Sequence, residues 1–307
     1  MKIRNLFLVL FAAIFAFTAC DDTNNPVDPT DKPIAPTSLQ ATSKNESTVI
    51  LRWTASTSES NSLFDKYVLT VTGGANPIQP FDIAKGTTSA EISGLSEGTI
   101  YTFSIVTKFT DGTTSSTSAQ IQWSPATRFV TNQNDQPILV YESASNFGSG
   151  LVIYDPIGDG PKSAKVTNGA QWNLGLDTRN GKLVLASAGL LDYNYSTQPG
   201  VTEIASEVIN ANSLDVVFDS QALEAKYFQE RSIDLTQQNS SFVIIVRFRQ
   251  PGSTQYNYAK VLVKYNNGFL QGSADNRYVA FEISYQKQAG VPYAKTPSMT
   301  LENNNAK

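Results

Sequence analysis

One thiol and no imidazole bound the chemistry open to this chain of 307 residues: Cys20 is its single cysteine, and histidine is absent. Cys20 follows Lys2 and Arg4, an apolar run from Leu6 to Phe17, and then Thr18-Ala19. A basic start, a short apolar stretch, small residues and a thiol make the layout of a bacterial lipoprotein signal, in which the sulfur carries the lipid. The apolar run is shorter than the roughly 20 residues a bilayer-spanning helix needs. The sequence therefore predicts a signal peptide over residues 1–19, with a mature chain that begins at Cys20 and is held to a membrane by acyl chains. An ordinary secretory signal with an incidental cysteine is the alternative, because Phe17 and Thr18 are not the most typical residues beside such a cut.

Once Cys20 is acylated no thiol remains. Ser-His-Asp and Cys-His catalysis, histidine-based zinc sites and thiolate clusters then all lack a necessary group. Disulfides are excluded as well, so the folded part must be held by buried apolar surface. Asp155-Pro-Ile-Gly-Asp159-Gly has the look of a calcium loop. It lacks a third oxygen ligand and a closing bidentate Glu, so it reads as a solvated turn. No pair of carboxylates is marked out by its neighbours as an acid and base for glycoside hydrolysis, although a carbohydrate-active enzyme stands as an alternative class. No catalytic residue and no metal ligand is assigned. The net charge of −4, with Lys and Arg scattered, gives no sign of a nucleic-acid partner.

Residues 20–33 are acidic and broken by Pro26, Pro29 and Pro33. Such a stretch cannot bury enough surface to fold and is stiffened by proline, which suits a tether. Acidic residues directly after a lipidated cysteine also carry sorting information in some bacteria. The expected location is the cell envelope, as an outer-membrane lipoprotein facing either side.

Beyond the tether the sequence takes on the two-residue period of strands. Val49–Trp53, Tyr67–Val71, Ala90–Ile92 and Tyr101–Thr107 alternate, and Gly73-Gly74 and Asp111-Gly112 punctuate them. About seven short strands over residues 34–127 predict an antiparallel sandwich. Its residues Pro36, Leu39, Trp53, Tyr67, Gly94-Leu95-Ser-Glu-Gly98-Thr99-Ile-Tyr101 and Asp111-Gly112 resemble a fibronectin type III domain. The resemblance implies that Trp53, Tyr67 and Leu95 are core residues. It also implies that Tyr101 is a corner tyrosine with its ring inside and its hydroxyl bonded to nearby backbone. Glu97 departs from the family, which usually has proline there. The implied role is a spacer or contact surface.

Residues 128–290 remain rich in β-branched and aromatic runs: Pro137–Tyr141, Gly150–Tyr154, Gly181–Ala186, Phe242–Phe248, Tyr258–Tyr265 and Tyr278–Tyr285, with Asn266-Asn-Gly268 as the clearest turn. Only Asp219–Ile233 offers residues that favour a short helix. The fold class is all-β throughout. Trp172-Asn-Leu-Gly-Leu176, Arg179-Asn-Gly181 and the three closing runs in their order resemble the HmuY family of outer-membrane lipoproteins. That resemblance implies a second antiparallel β-domain, with Trp172 in its core, that binds a ligand or a partner.

The family captures haem between two histidines or two methionines. This chain has no histidine, and its methionines are Met1, lost with the signal, and Met299, in the polar tail of residues 291–307. Such ligation is therefore unavailable within one chain. Tyr193 and Tyr195 are the candidate ligand residues left, for haem held by tyrosinate, with aromatic packing as the plainer role. The expected molecule is a non-enzymatic envelope binding protein. It needs no cofactor, with haem as the alternative, and its partners are the membrane through the anchor and an envelope protein, a glycan or a small molecule.

Overall fold

Alternation of apolar and polar side chains builds the first sandwich. β1 (Thr37–Asn45), β2 (Thr48–Thr54) and β5 (Ser89–Ile92) form one antiparallel sheet in the order β1-β2-β5. β3 (Phe64–Thr72), β4 (Phe81–Ile83), β6 (Tyr101–Phe109) and β7 (Ala119–Trp123) form the other, in the order β4-β3-β6-β7. In β6 every second residue from Tyr101 to Phe109 is buried, as a strand with one wet face requires. The structure is a computed structural model that describes residues 32–166, 171–191, 201–219, 221–222, 225–292 and 294–295. Cys20, Tyr193, Tyr195 and Met299 lie outside the described residues.

Trp53, Tyr67, Leu95 and Tyr101 all lie in the core between these two sheets. Tyr101 takes a hydrogen bond on its hydroxyl from the Ser96 amide at 3.0 Å. The Tyr67 hydroxyl accepts from the Ser56 amide at 2.8 Å and donates to Glu59 Oε1 at 2.7 Å. Burial, reinforced by Glu59, raises the Tyr67 phenol well above its ordinary pKa. Gly73 and Gly74, both at positive φ, pass against the Tyr101 backbone and ring, where a side chain would collide.

The remaining strands are β8 (Thr127–Phe129), β9 (Ile138–Tyr141), β10 (Gly150–Asp155), β11 (Gly160–Ala164), β12 (Leu174–Asp177), β13 (Val184–Ser187) and β14 (Thr202–Asn210). After them come β15 (Gln221–Ala222), β16 (Phe228–Gln229), β17 (Ser232–Asp234), β18 (Phe242–Phe248), β19 (Asn257–Val263), β20 (Tyr278–Tyr285) and β21 (Ala294–Lys295). The main sheet runs β16-β14-β18-β19-β20-β8, with β9 also paired to β20, and a second sheet runs β11-β10-β12-β13-β17. All pairings are antiparallel. The short helix that Asp219–Ile233 could have formed is replaced, among the described residues, by single turns and two-residue or three-residue strands. The strand expected from Gly181 starts at Val184, because Asn180 and Gly181 sit at positive φ in a tight turn.

Strand β18 explains how the layers stack. Phe242-Val-Ile-Ile-Val-Arg-Phe248 does not alternate, and all seven residues are buried. Phe242, Ile244, Val246 and Phe248 face the five-stranded sheet and its Leu151, Ile153, Leu174, Leu176 and Leu185. On the opposite face Ile245 joins the core of the first sandwich, and Val243 packs on Leu214 and Val217. A strand covered on both sides reads as a continuous apolar run. From Pro33 the described residues fall in one compact unit.

The contact between the two halves is also polar. Ala41 and Asp219 exchange two backbone hydrogen bonds at 2.9 and 3.0 Å. Arg128 donates to the Ser43 carbonyl and pairs with Asp215 at 2.7 Å. Gln286 donates to the Pro125 carbonyl at 2.8 Å. Beneath them lies an ion pair with no water-facing surface, Asp219 with Lys260, whose ammonium also donates to the Val217 carbonyl and sits 5.1 Å from the Trp123 ring.

Candidate ligand-binding cleft

Two glycines paired across β10 and β12, Gly150 and Gly175, leave a bare patch on the outer face of the five-stranded sheet. The Trp172 indole lies on that patch: a Cβ on Gly150 would stand 2.9 Å from its Cγ, and one on Gly175 2.9 Å from its Cζ3 and 2.1 Å from Leu191 Cδ1. Trp172 is thereby buried, among Val152, Val166, Ala186, Ala188 and Leu191. Asn173 locks the chain that delivers it: its amide donates to the Leu151 carbonyl at 2.7 Å, and its side-chain oxygen accepts from the Ile153 amide at 2.8 Å.

Beside Trp172 opens a cleft of about 630 Å³. One side is β10 and β11 with their turn, from Val152 through Ile157 to Lys165, and the other is the end of β18, from Phe248 to Pro251. A hollow of about 370 Å³ continues it past Gln171, Arg249 and Pro251 toward Val201 and Tyr256. The volume lies in the range usual for small-molecule sites. Stacked rings make its base firm. Tyr154 lies on Tyr285 at 4.5 Å, Phe248 lies on Tyr285 at 5.8 Å, and Gln250 ties the strands by donating to the Tyr154 carbonyl and the Tyr285 hydroxyl, each at 3.2 Å.

The titratable groups here are held by ion pairs, hydrogen bonds and burial. Lys162 bonds to Asp155 and holds that carboxyl below the usual carboxylate range, despite partial burial. Asp159 is likewise held down by Lys287 at 2.6 Å and by the Tyr154 hydroxyl at 2.7 Å. Burial pushes the Tyr285 phenol up to about 12, and burial with the Asp159 bond raises Tyr154 further. Neither phenol is near ionisation at neutral pH. Both carboxylates of the Asp155–Asp159 turn are thus engaged by lysines, and no cluster suited to a metal occurs among the described residues.

A ladder of rings and guanidinium groups leads out of the fold to the cleft rim. Arg247 lies 4.7 Å from the Phe228 ring and 4.2 Å from the Tyr256 ring, and Arg249 covers Tyr256 at 4.5 Å. Arg247 is neutralised by Glu203. Arg249, at the exposed end, donates to the Tyr256 hydroxyl at 3.2 Å and has no carboxylate within ion-pair distance among the described residues. Nothing in the composition of Arg247-Phe-Arg-Gln250 singled these residues out. The signal that could have found them is the pair of arginines two residues apart that ends an otherwise apolar run from Phe242.

Of the residues singled out in the sequence, Trp53, Tyr67, Leu95 and Tyr101 are gathered in the first core, and Trp172 stands apart from them at the cleft.

Comparison with known proteins bears on the first half. No curated protein matches the chain. Among solved structures, the FN5 domain of Drosophila Lar is similar at 21% identity, covering 30% of this chain and 96% of its own, with a TM-score of 0.24. A segment of two fibronectin type III domains from chicken tenascin is similar at 12% identity, covering 76% of this chain and 100% of its own, with a TM-score of 0.28. Residues 34–124 match the fibronectin type III family, a fold of contact and spacer modules that is generally non-enzymatic. Those residues, in their two sheets of three and four strands, are a fibronectin type III domain.

Proposed function

We propose that this chain is a non-enzymatic binding protein of the cell envelope, lipid-anchored at Cys20, whose second half receives a small ligand in the cleft beside Trp172. The observation that carries this reading is the cleft itself: about 630 Å³, apolar at its base and polar at its rim, with its one lining carboxylate, Asp155, paired to Lys162 and its one lining phenol, Tyr154, raised by burial. The absence of histidine and of a free thiol in the mature chain is consistent with binding without turnover. The three consecutive antiparallel strands β18, β19 and β20, and Trp172 leading into β12, support a HmuY-like reading of residues 128–290. The fibronectin type III domain, which follows residues 20–33 in the sequence, acts as the mount of this receptor.

The test is thermal melting of the purified chain with and without a small-molecule extract of bacterial envelopes, beside a variant with the cleft filled, Ala164→Trp. A ligand raises the melting temperature by binding the native state alone. The extract is expected to raise the midpoint of the natural chain and leave the variant unmoved. Equal shifts in both would place binding elsewhere.

A further inference from the structure

The charge around the cleft specifies what kind of ligand it takes. Three cations line it, Lys162, Lys165 and Arg249, against one carboxylate, Asp155. That carboxylate is already held by Lys162. Lys165 and Arg249 are exposed and have no carboxylate partner among the described residues. They stand on different walls, Lys165 just beyond β11 and Arg249 just beyond β18, so both face one opening. Arg249 is further fixed by Tyr256, whose ring centre lies 4.5 Å from its guanidinium and whose hydroxyl accepts from it at 3.2 Å, which costs a ligand less ordering than a free side chain would.

Beneath the two cations the surface is apolar: Val152, Trp172 and Phe248 at the base, and Ile157, 96% exposed, on the turn at the edge. An aliphatic side chain so fully in water beside an apolar base is suited to close over the body of a ligand. An inorganic anion would leave that base unused, and a neutral hydrocarbon would leave both cations unmatched. On the reading that this cleft is a ligand site, we infer that its occupant is an amphipathic organic anion, with an apolar body laid on Val152, Trp172 and Phe248 and an acidic group held between Lys165 and Arg249.

Two fluorescent probes that differ by one acidic group test this: anilinonaphthalene sulfonate, and phenylnaphthylamine, the same ring system without the sulfonate. Each is titrated into the full chain, into Lys165→Gln/Arg249→Gln, into Arg249→Lys and into Ala164→Trp. The sulfonate is expected to bind at least about tenfold more tightly than the neutral probe. That preference should disappear in the double Gln variant, persist in Arg249→Lys, and give way to loss of both probes in Ala164→Trp. Circular dichroism that is unchanged in the Gln variant shows that the fold is intact. Equal affinity for the two probes, with both lost in Ala164→Trp, overturns the anionic class and leaves the cleft as a ligand site. Failure of both probes to bind, or binding that Ala164→Trp leaves intact, overturns the inference and the ligand-site reading together.

Discussion

The Glu97 carboxylate accepts the backbone N–H of Lys287 at 3.0 Å, and so joins a loop of the fibronectin type III domain to the chain just after β20, 190 residues later. The same carboxylate accepts the Thr127 amide at 3.2 Å and its hydroxyl at 2.7 Å. Three donors from the junction converge on one side chain, at the position where the family usually has proline. The departure from the family pattern is therefore the residue that fastens the domain to the second half of the chain. Next to it, Gly98 has positive φ, and a Cβ there would stand 3.0 Å from that of Gln288.

Glu97→Pro, which restores the family residue, should loosen this junction without unfolding the sandwich. Loss of three partly buried acceptor contacts is expected to cost roughly 1–3 kcal/mol. Urea denaturation gives the stability, and limited proteolysis should show new cutting near Thr127. Unchanged stability and unchanged cutting would remove Glu97 as the fastener.

Lys260 and Asp219 form the buried pair between the halves, and removing one partner should hurt more than removing both. Lys260→Met leaves a buried carboxylate without water and without its paired ammonium, at a cost of about 3–5 kcal/mol. Lys260→Met/Asp219→Leu should recover most of that loss, because two charges no longer have to leave water. Burial pushes the Asp219 carboxyl from 3.8 up to about 6, against the pull of Lys260 and Arg52. The native state then binds this proton more tightly than the unfolded chain, so this group's contribution to stability falls as pH rises through that window. Unfolding free energies at pH 4.5 and pH 7, compared with Asp219→Asn, should show a gap that moves against the natural chain at the higher pH.

Gly175→Ala should disturb the Trp172 seat. The added methyl meets Leu191 Cδ1 at 2.1 Å and Trp172 Cζ3 at 2.9 Å, and so forces one of them aside. Overpacking of this kind costs about 1–3 kcal/mol. The emission maximum of tryptophan is expected to move to longer wavelength, and the affinity for any cleft ligand to fall. An unshifted spectrum would show that the seat tolerates a methyl.

Several of these features were legible in the sequence. The β-branched and aromatic run of β18 was legible as a strand, and Asn266-Asn-Gly268 as a turn, which forms with Asn267 at φ 54° and Gly268 at φ 140°. Lys260 was not legible. Within Tyr258-Ala-Lys-Val-Leu-Val263 it reads as a solvent-facing charge, and only the approach of Asp219, Val217 and Trp123 from distant parts of the chain shows that it is inside. The cleft was hidden for the same reason: its two walls come from β10–β11 and from the end of β18, almost 100 residues apart, and no local pattern records that they meet. In the sequence Gly175 is only one residue of the tryptophan motif. Its partner Gly150 gives it meaning, since together they make the bed for the indole.

Cys20→Ser should release the protein from membranes, because a hydroxyl does not replace the sulfur that carries the lipid. One acyl chain holds a protein marginally and several hold it stably. Labelling with a radioactive fatty acid and membrane fractionation read this out. Label on the Ser variant at the natural level would refute the anchor.

Native mass spectrometry of the full chain, mixed with the same envelope extract, tests the central claim most directly. One small molecule bound per chain, absent from Ala164→Trp and weakened in Lys165→Gln/Arg249→Gln, is the expected result. A natural chain that stays free at every extract concentration, or an adduct equally abundant in all three proteins, would contradict it.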